Sequence, residues 1–128
     1  MINKEDANIL IVDDIEDNRY TLERRLKRDG YKNIFLAEGG KTALDMATKN
    51  KFDLILLDLM MPDMSGLEVL KYLKGDPLQR SIPVIMVTAS DEVETAAECI
   101  INGADDFITK PFNGTLLKAR VGASLEKK

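Results

Sequence analysis

Histidine is absent from the 128-residue sequence, and there is a single cysteine, Cys99. Without histidine the chain has no Ser-His-Asp or Cys-His catalytic group, no histidine-ligated metal and no phosphohistidine. One cysteine excludes an intramolecular disulfide and a multi-cysteine zinc site. Any chemistry must therefore come from carboxylates, hydroxyls and lysines.

Long hydrophobic runs and an excess of positive charge are also missing. The unbroken apolar runs are far shorter than a membrane span of roughly 20 residues, and the amino terminus, MINKED, lacks the apolar core of a signal peptide. The 18 Lys and Arg against 22 Asp and Glu give a net charge of −4, which disfavours non-specific nucleic-acid binding. We expect a cytoplasmic protein that contacts neither nucleic acid nor membrane directly.

The apolar residues alternate between two patterns. Short unbroken runs, typical of strands buried on both faces of a parallel sheet, recur at Ile9–Val12, Ile34–Ala37, Leu54–Leu57, Val84–Val87 and Phe107–Ile108. Each run is followed by a segment with helical spacing. The length suits one domain, and the strict alternation predicts an α/β fold with helices on both faces of a parallel sheet. An α+β fold, the alternative, would not predict such regularity.

The five predicted helices are defined by apolar stripes and by signals at their ends. Ser65 is a candidate N-cap of the third helix, and Gly30 and Gly103 follow the first and fourth helices. The stripes consist of Leu22 and Leu26; Ala43, Leu44 and Ala47; Leu67, Leu70 and Leu73; Ala96, Ala97, Ile100 and Ile101; and Leu117, Val121 and Leu125.

Polar residues stand at the ends of four predicted strands. In chain order they are Asp13 and Asp14, Asp58, Thr88, and Thr109 with Lys110. The carboxyl ends of parallel strands meet at one edge of the sheet, where open α/β folds bind ligands. Each residue alone is ordinary at a turn, a helix N-cap or a solvated surface, but together they predict a cluster of three carboxylates, a hydroxyl and an ammonium.

Three clustered carboxylates repel one another unless one is protonated or a cation lies between them. An oxygen-only ligand set favours Mg²⁺. Mg²⁺ together with a lysine can hold a phosphoryl group, and an aspartate in that setting can attack phosphorus to give an acyl phosphate. The cluster therefore predicts Mg²⁺-dependent phosphoryl chemistry.

A second segment, Gly40-Lys41-Thr42, looks like the end of a phosphate-binding P-loop. The full motif requires a glycine five residues before Gly40, and that position is Phe35. We interpret the segment as a glycine-containing turn that leads into the second helix.

Four segments together resemble the receiver domain of two-component response regulators: ILIVDD (9–14), DLMMPDMSG (58–66), VTAS (87–90) and GADDFITKPF (103–112). The likeness covers nearly the whole chain. It implies one receiver domain over residues 1–128, with an ordered core over about 7–126. The implied fold is a doubly wound, flavodoxin-like sheet of five parallel strands in the order 2-1-3-4-5, flanked by five helices.

The resemblance implies a nucleophile and a metal site. Asp58 would accept the phosphoryl group. Mg²⁺ would be bound by Asp14 directly, by Asp58 and by the backbone carbonyl of Met60, while Asp13 would be a ligand through water or would support a ligand. Met60 and Ser90 would flank the path of attacking water, and because a Met60 side chain offers no hydrogen bond to that water, we expect a long-lived phosphoryl group.

The resemblance also implies a switch. Lys110 would pair with a phosphoryl oxygen, its peptide bond to Pro111 being cis, while the small Ala89 leaves access to the site. Thr88 would hydrogen-bond another oxygen, and Phe107 would then rotate inward, which changes the surface of the fourth helix, fifth strand and fifth helix. The alternative for Phe107 is an ordinary aromatic packed on the sheet edge.

The implied partners are a histidine kinase or phosphotransfer protein and a downstream effector or covalently linked output domain. The chain would be a stand-alone regulator or the receiver of a longer one, and an enzyme only toward its own phosphorylation and dephosphorylation. Asp105, Asp106 and Arg120 could form charge pairs across a homodimer. Two alternatives remain open: a phosphohydrolase with an Asp nucleophile, although such enzymes usually carry a second Asp at the position of Met60, and an unphosphorylated pseudo-receiver.

Overall fold

A computed structural model describes residues 2–89 and 91–126, so that Ser90, one of the two predicted lifetime positions, lies outside the described residues. Strands and helices alternate strictly along this part of the chain. The elements are β1 (Asn8–Val12), α1 (Glu16–Arg28), β2 (Asn33–Ala37), α2 (Gly40–Lys49), β3 (Leu54–Asp58), α3 (Gly66–Gly75), β4 (Val84–Ala89), α4 (Val93–Ile101), β5 (Asp106–Lys110) and α5 (Gly114–Glu126).

The five strands form one parallel sheet in the order β2-β1-β3-β4-β5. The predicted α/β class and strand order are therefore confirmed. The strands are slightly longer than their apolar runs, because β3 includes Asp58, β4 includes Thr88 and β5 includes Lys110. These polar residues continue the backbone ladder, which holds their main chains in place.

Two apolar cores lie on opposite faces of the sheet, because successive side chains of a strand point to opposite sides. Ile9 and Ile11 face α1 and α5. Leu10 and Val12 belong to the other core, into which α2, α3 and α4 pack. The central strands β1, β3 and β4 are buried nearly throughout, whereas the edge strands β2 and β5 are only partly covered.

The predicted helix termini are confirmed. Ser65 accepts a hydrogen bond from the Glu68 amide, and the Glu68 side chain returns a bond to the Ser65 amide, which completes a capping box at α3. Gly30 and Gly103 have φ angles of 105° and 109°. Glycine adopts this left-handed conformation without the steric penalty of a Cβ atom, so both residues end their helices efficiently.

The predicted apolar stripe of α4 is wrong in part. Ala96 and Cys99 are the buried residues of this helix, whereas Ala97 and Ile100 are exposed and Ile101 is 85% exposed. A nine-residue helix turns only one narrow stripe toward the sheet, so its remaining apolar residues face outward. None of the described helices is long and apolar enough to cross a membrane.

At Gly66, α3 approaches the end of β3 so closely that a side chain at this position should destabilise the fold. A Cβ atom on Gly66 would overlap the Asp58 carbonyl oxygen and lie 2.9 Å from Leu59 Cα, whereas a Cβ on Gly122 in α5 would meet nothing within 4 Å. We expect Gly66→Ala to lower the free energy of unfolding by at least about 2 kcal/mol. Gly122→Ala should raise it by up to about 1 kcal/mol, since alanine is the better helix former. Urea denaturation measures both, and a Gly66→Ala protein as stable as wild type would contradict the packing.

Candidate functional site

The alternation of side chains along the strands brings the charged residues to one corner of the sheet. Side chains two residues apart in a strand point to the same face. Asp58 therefore shares the face of Leu54 and Leu56, which contact α1 and α5, and Lys110 shares the same face through Ile108. Asp13, one residue beyond β1, continues the row of Ile9 and Ile11 and still pairs with β2 through its amide. The charged cluster is thus the carboxyl-edge continuation of the apolar core.

Lys110 reaches across β4 to the acids. Its Nζ donates a hydrogen bond to Asp58 Oδ1 at 2.9 Å and lies 3.3 Å from Asp13 Oδ2. Burial raises the pKa of Asp58 to about 6; the Lys110 hydrogen bond opposes this rise and the charge of Asp13 adds to it. Burial alone would lower the pKa of Lys110, but the bond to Asp58 and the charges of both acids raise it. Lys110 is therefore a cation at neutral pH.

Asp13 is held in place by the start of α1. Its Oδ1 accepts the Ile15 amide at 2.9 Å, and its backbone carbonyl accepts Arg19 at 2.7 Å. Its Oδ2 is buried and receives no hydrogen bond of good geometry from the described residues. Carboxylate oxygens of Asp13, Asp14 and Asp58 lie within 4.8 Å of one another. A hard divalent cation would satisfy the orphaned oxygen, so the donor set fits Mg²⁺.

Thr88 and Phe107 lie on the other face of the sheet. Thr88 is fully buried, and its Oγ1 has no hydrogen-bond partner among the described residues. Phe107 is half-buried against the core of α2, α3 and α4. Arg120 donates a hydrogen bond to the Phe107 carbonyl and lies 3.6 Å from Asp106. Asp105 accepts the Val84 amide at 2.8 Å, so all three residues predicted to pair across a dimer are engaged within one chain.

The remaining predicted residues surround the cluster. The Lys110–Pro111 peptide bond is cis. Met60 follows β3, and its side chain is 62% exposed. Ala89 ends β4, and its amide donates to the Glu92 carboxylate at 2.9 Å.

Asp63, for which the sequence predicted no role, connects the loop between β3 and α3 to α2. The carboxylate of Asp63 accepts the amides of Gly40 at 3.2 Å and Lys41 at 3.1 Å. The segment that looks like a P-loop end thus binds a carboxylate of its own chain. The signal in the sequence is indirect: Gly39, which precedes α2, has no side chain that could cap this helix.

Comparison with known proteins identifies the family. The family model described as "Response regulator receiver domain" matches residues 9–122. Chemotaxis protein CheY-3 of Vibrio cholerae is 35% identical over 99% of this chain and 97% of its own length. The solved receiver domain of NtrX from Brucella abortus superposes with a TM-score of 0.87 at 30% identity, covering 94% of this chain and 100% of that one. The chain belongs to the response regulator receiver domain family.

Other relatives are longer. Response regulator PleD of Caulobacter vibrioides is 46% identical over 90% of this chain, which spans 25% of PleD. The chain also spans half of the cell cycle transcriptional regulator CtrA of the same organism, at 34% identity. Receiver domains are signalling domains that bind Mg²⁺ at an acidic pocket and work with histidine kinases and effectors, and the acidic cluster here matches that pocket.

The raised pKa of Asp58 predicts how stability depends on pH when EDTA removes divalent cations. The unfolded chain ionises Asp58 near its ordinary 3.8, the folded chain near 6. Below pH 3.8, Asp58 is protonated in both states and does not lower the free energy of unfolding. As the pH rises from 3.8 to 6, the unfolded chain loses this proton while the folded chain keeps it, so the free energy of unfolding falls. Above pH 6 the loss is complete. Asp58→Asn should raise the free energy of unfolding by about 2–3 kcal/mol at pH 7.5, because the shift of about two pKa units already includes the favourable Lys110 bond.

The same variant should have little effect near pH 4, and urea denaturation at both pH values measures the difference. Asp17→Asn serves as the control, because it removes an exposed carboxylate from the first turn of α1 and should destabilise slightly at pH 7.5. An Asp58→Asn protein less stable than wild type at pH 7.5 would show that the Lys110 bond outweighs burial.

Proposed function

We propose that this chain, as a single receiver domain over residues 1–128, accepts a phosphoryl group on Asp58 from a histidine kinase or phosphotransfer protein in a Mg²⁺-dependent reaction. One observation carries the proposal: a buried Asp58 carboxylate is hydrogen-bonded to Lys110 at 2.9 Å and clustered with two further carboxylates within 4.8 Å. An aspartate that only ended a strand would need neither the bond to Lys110 nor the two neighbouring carboxylates.

Asp58 has the properties of a nucleophile. Its Oδ1 accepts the hydrogen bond from Lys110 at 2.9 Å. With a pKa of about 6, the carboxylate is ionised at neutral pH. A carboxylate oxygen of Asp58 supplies the electron pair of the new O–P bond, the P–N bond of the donor phosphohistidine breaks, and the imidazole leaves with the electron pair of the P–N bond. The product is an acyl phosphate on Asp58.

The metal site comprises Asp13, Asp14, Asp58 and the Met60 carbonyl. These groups would hold Mg²⁺, which would neutralise charge on the phosphoryl oxygens. Lys110, already oriented by the two acids, turns to a phosphoryl oxygen as Asp58 loses its negative charge on forming the acyl phosphate bond. The chain thus catalyses at most its own phosphorylation and dephosphorylation.

Thr88 and Phe107 form the proposed switch. The buried Thr88 hydroxyl has no partner among the described residues, so a phosphoryl oxygen supplies the acceptor it lacks. Movement of Thr88 opens space for the Phe107 ring and alters the surface of α4, β5 and α5. The phosphoryl group shifts the equilibrium by its preference for one of the two states.

We further propose a cytoplasmic receiver that passes its signal to an effector protein or a linked output domain, without itself binding nucleic acid, and that dimerises, if at all, through α4, β5 and α5. The phosphohydrolase alternative is not favoured, because Met60 occupies the position of its acid/base aspartate. A pseudo-receiver is disfavoured because the acidic, hydroxyl and lysine positions are all filled.

Intact mass after incubation with Mg²⁺ and acetyl phosphate tests the proposal. We expect the mass to rise by one phosphoryl group in wild type, and to stay unchanged in Asp58→Asn and in wild type treated with EDTA. Phosphorylation that persists in Asp58→Asn would assign another acceptor. A wild type that takes up no phosphoryl group from acetyl phosphate or from a histidine kinase would make the chain a pseudo-receiver.

Met60 generates a prediction about the lifetime of the phosphoryl group. Its side chain is largely exposed beside the nucleophile and offers no hydrogen bond to water. A carboxamide there can orient an attacking water, so Met60→Gln should speed dephosphorylation by about tenfold. Met60→Leu is the matched control and should leave the rate unchanged. Decay of the phosphorylated mass over time measures the rate, and equal rates in Met60→Gln and wild type would contradict the prediction.

A further inference from the structure

The loop between β3 and α3 carries Met60 and is closed at both ends. The Leu59 carbonyl accepts the Gly66 amide at 2.7 Å, and Ser65 caps α3. Met60 is 62% exposed, so its side chain gives the loop no apolar anchor at the residue whose carbonyl is the proposed metal ligand. Between the two ends, the loop depends on Asp63 for its hydrogen bonds to another element.

Asp63 acts as the N-cap of a helix that lacks one. Gly39 precedes α2 in an extended conformation without a capping side chain, and the first turn of α2 contains no acidic residue. The two Asp63 oxygens instead accept the Gly40 and Lys41 amides. These amides, Lys41 first, hold the pKa of Asp63 below its ordinary value. Both bonds are therefore charge-assisted and lie at the positive end of the helix dipole.

The loop and the start of α2 are packed without spare room. A Cβ on Gly39 would lie 3.0 Å from both Asp63 carboxylate oxygens. A Cβ on Gly40 would lie 2.8 Å from Val69 and 2.9 Å from Met64. Because Gly39 and Gly40 have no side chains, the Asp63 carboxylate can reach the start of α2. The position of the loop between β3 and α3 is therefore tied to the position of α2.

We propose that Asp63 is a positioning residue for the metal site, holding the loop so that the Met60 carbonyl stands at the right distance from Asp13, Asp14 and Asp58. This inference rests on the proposed function, which makes that carbonyl a Mg²⁺ ligand. Mg²⁺ demands near-ideal octahedral geometry with oxygens at about 2.0–2.1 Å. A loop displaced by a fraction of an ångström therefore loses affinity, although Asp63 never touches the ion.

Mg²⁺ affinity, measured by NMR titration of ¹⁵N-labelled protein with MgCl₂, tests the inference without requiring phosphorylation. We expect Asp63→Ala to weaken Mg²⁺ binding by about tenfold, the lower end of what outer partners of metal ligands contribute. Asp63→Asn keeps one of the two acceptors and should weaken binding by less, about threefold. If Asp63→Ala fails to fold, Asp63→Asn carries the test.

Ionic strength separates positioning from simple attraction between charges. At 1 M KCl the screening length is about 3 Å, so a through-space effect of the Asp63 charge would vanish. We expect the ratio of wild-type to variant affinity to persist between 0.1 and 1 M KCl. A ratio that falls to one at 1 M KCl would overturn the inference.

Asp105→Ala is the matched control. Its carboxylate also accepts a backbone amide, that of Val84 at 2.8 Å, but at the opposite edge of the sheet from the cluster. It should lower the thermal midpoint and leave Mg²⁺ affinity unchanged. Wild-type affinity in both Asp63 variants would overturn the inference while leaving the proposed function intact. A wild type that shows no Mg²⁺-dependent shifts would overturn the proposed function and this inference together.

Discussion

The ion pair between Asp58 and Lys110 is the contact on which the organisation of the site depends. Asp13 and Asp58 are almost completely buried, and Asp14 lies beside them. Burying like charges together is unfavourable unless a counter-charge is close. Lys110 supplies one positive charge against three negative ones, which leaves two negative charges, and Asp13 Oδ2 lies 3.3 Å from the Lys110 ammonium but receives no hydrogen bond from the described residues. The protein alone is thus incompletely neutralised, and a divalent cation is the partner whose charge closes the difference.

The parts of this arrangement that sequence could predict are those set by local periodicity. Unbroken apolar runs revealed the strands, and strict alternation revealed the parallel sheet. Once the strands are parallel, Asp13, Asp58 and Lys110 must meet at the carboxyl edge. The Ser65 cap and the glycines after α1 and α4 could be recognised because their conformations are properties of single residues.

The parts that could not be predicted depend on contacts between distant residues. The bonds of Asp63 to Gly40 and Lys41 join positions that are 23 and 22 residues apart, and nothing local marks that aspartate. Likewise, Asp106 and Arg120 form a pair within the chain, although their spacing was equally compatible with a pair across a dimer. The exposed Ile101 of α4 shows a different limit: apolar spacing identifies a helix, but the side that faces the sheet is decided by packing.

The proposed mechanism uses groups on both faces of the sheet. Asp58, the proposed nucleophile, shares its face with α1 and α5, while Thr88 and Phe107 face the core of α2, α3 and α4. Any signal between them must pass through β4, which Lys110 crosses and to which Thr88 belongs. Arg120 binds the Phe107 carbonyl, and β5 pairs with β4 along its length, so the backbone of Phe107 is held on both sides. A change at this residue is therefore achieved most easily by rotation of its ring, because moving its backbone would break the Arg120 bond and the ladder together.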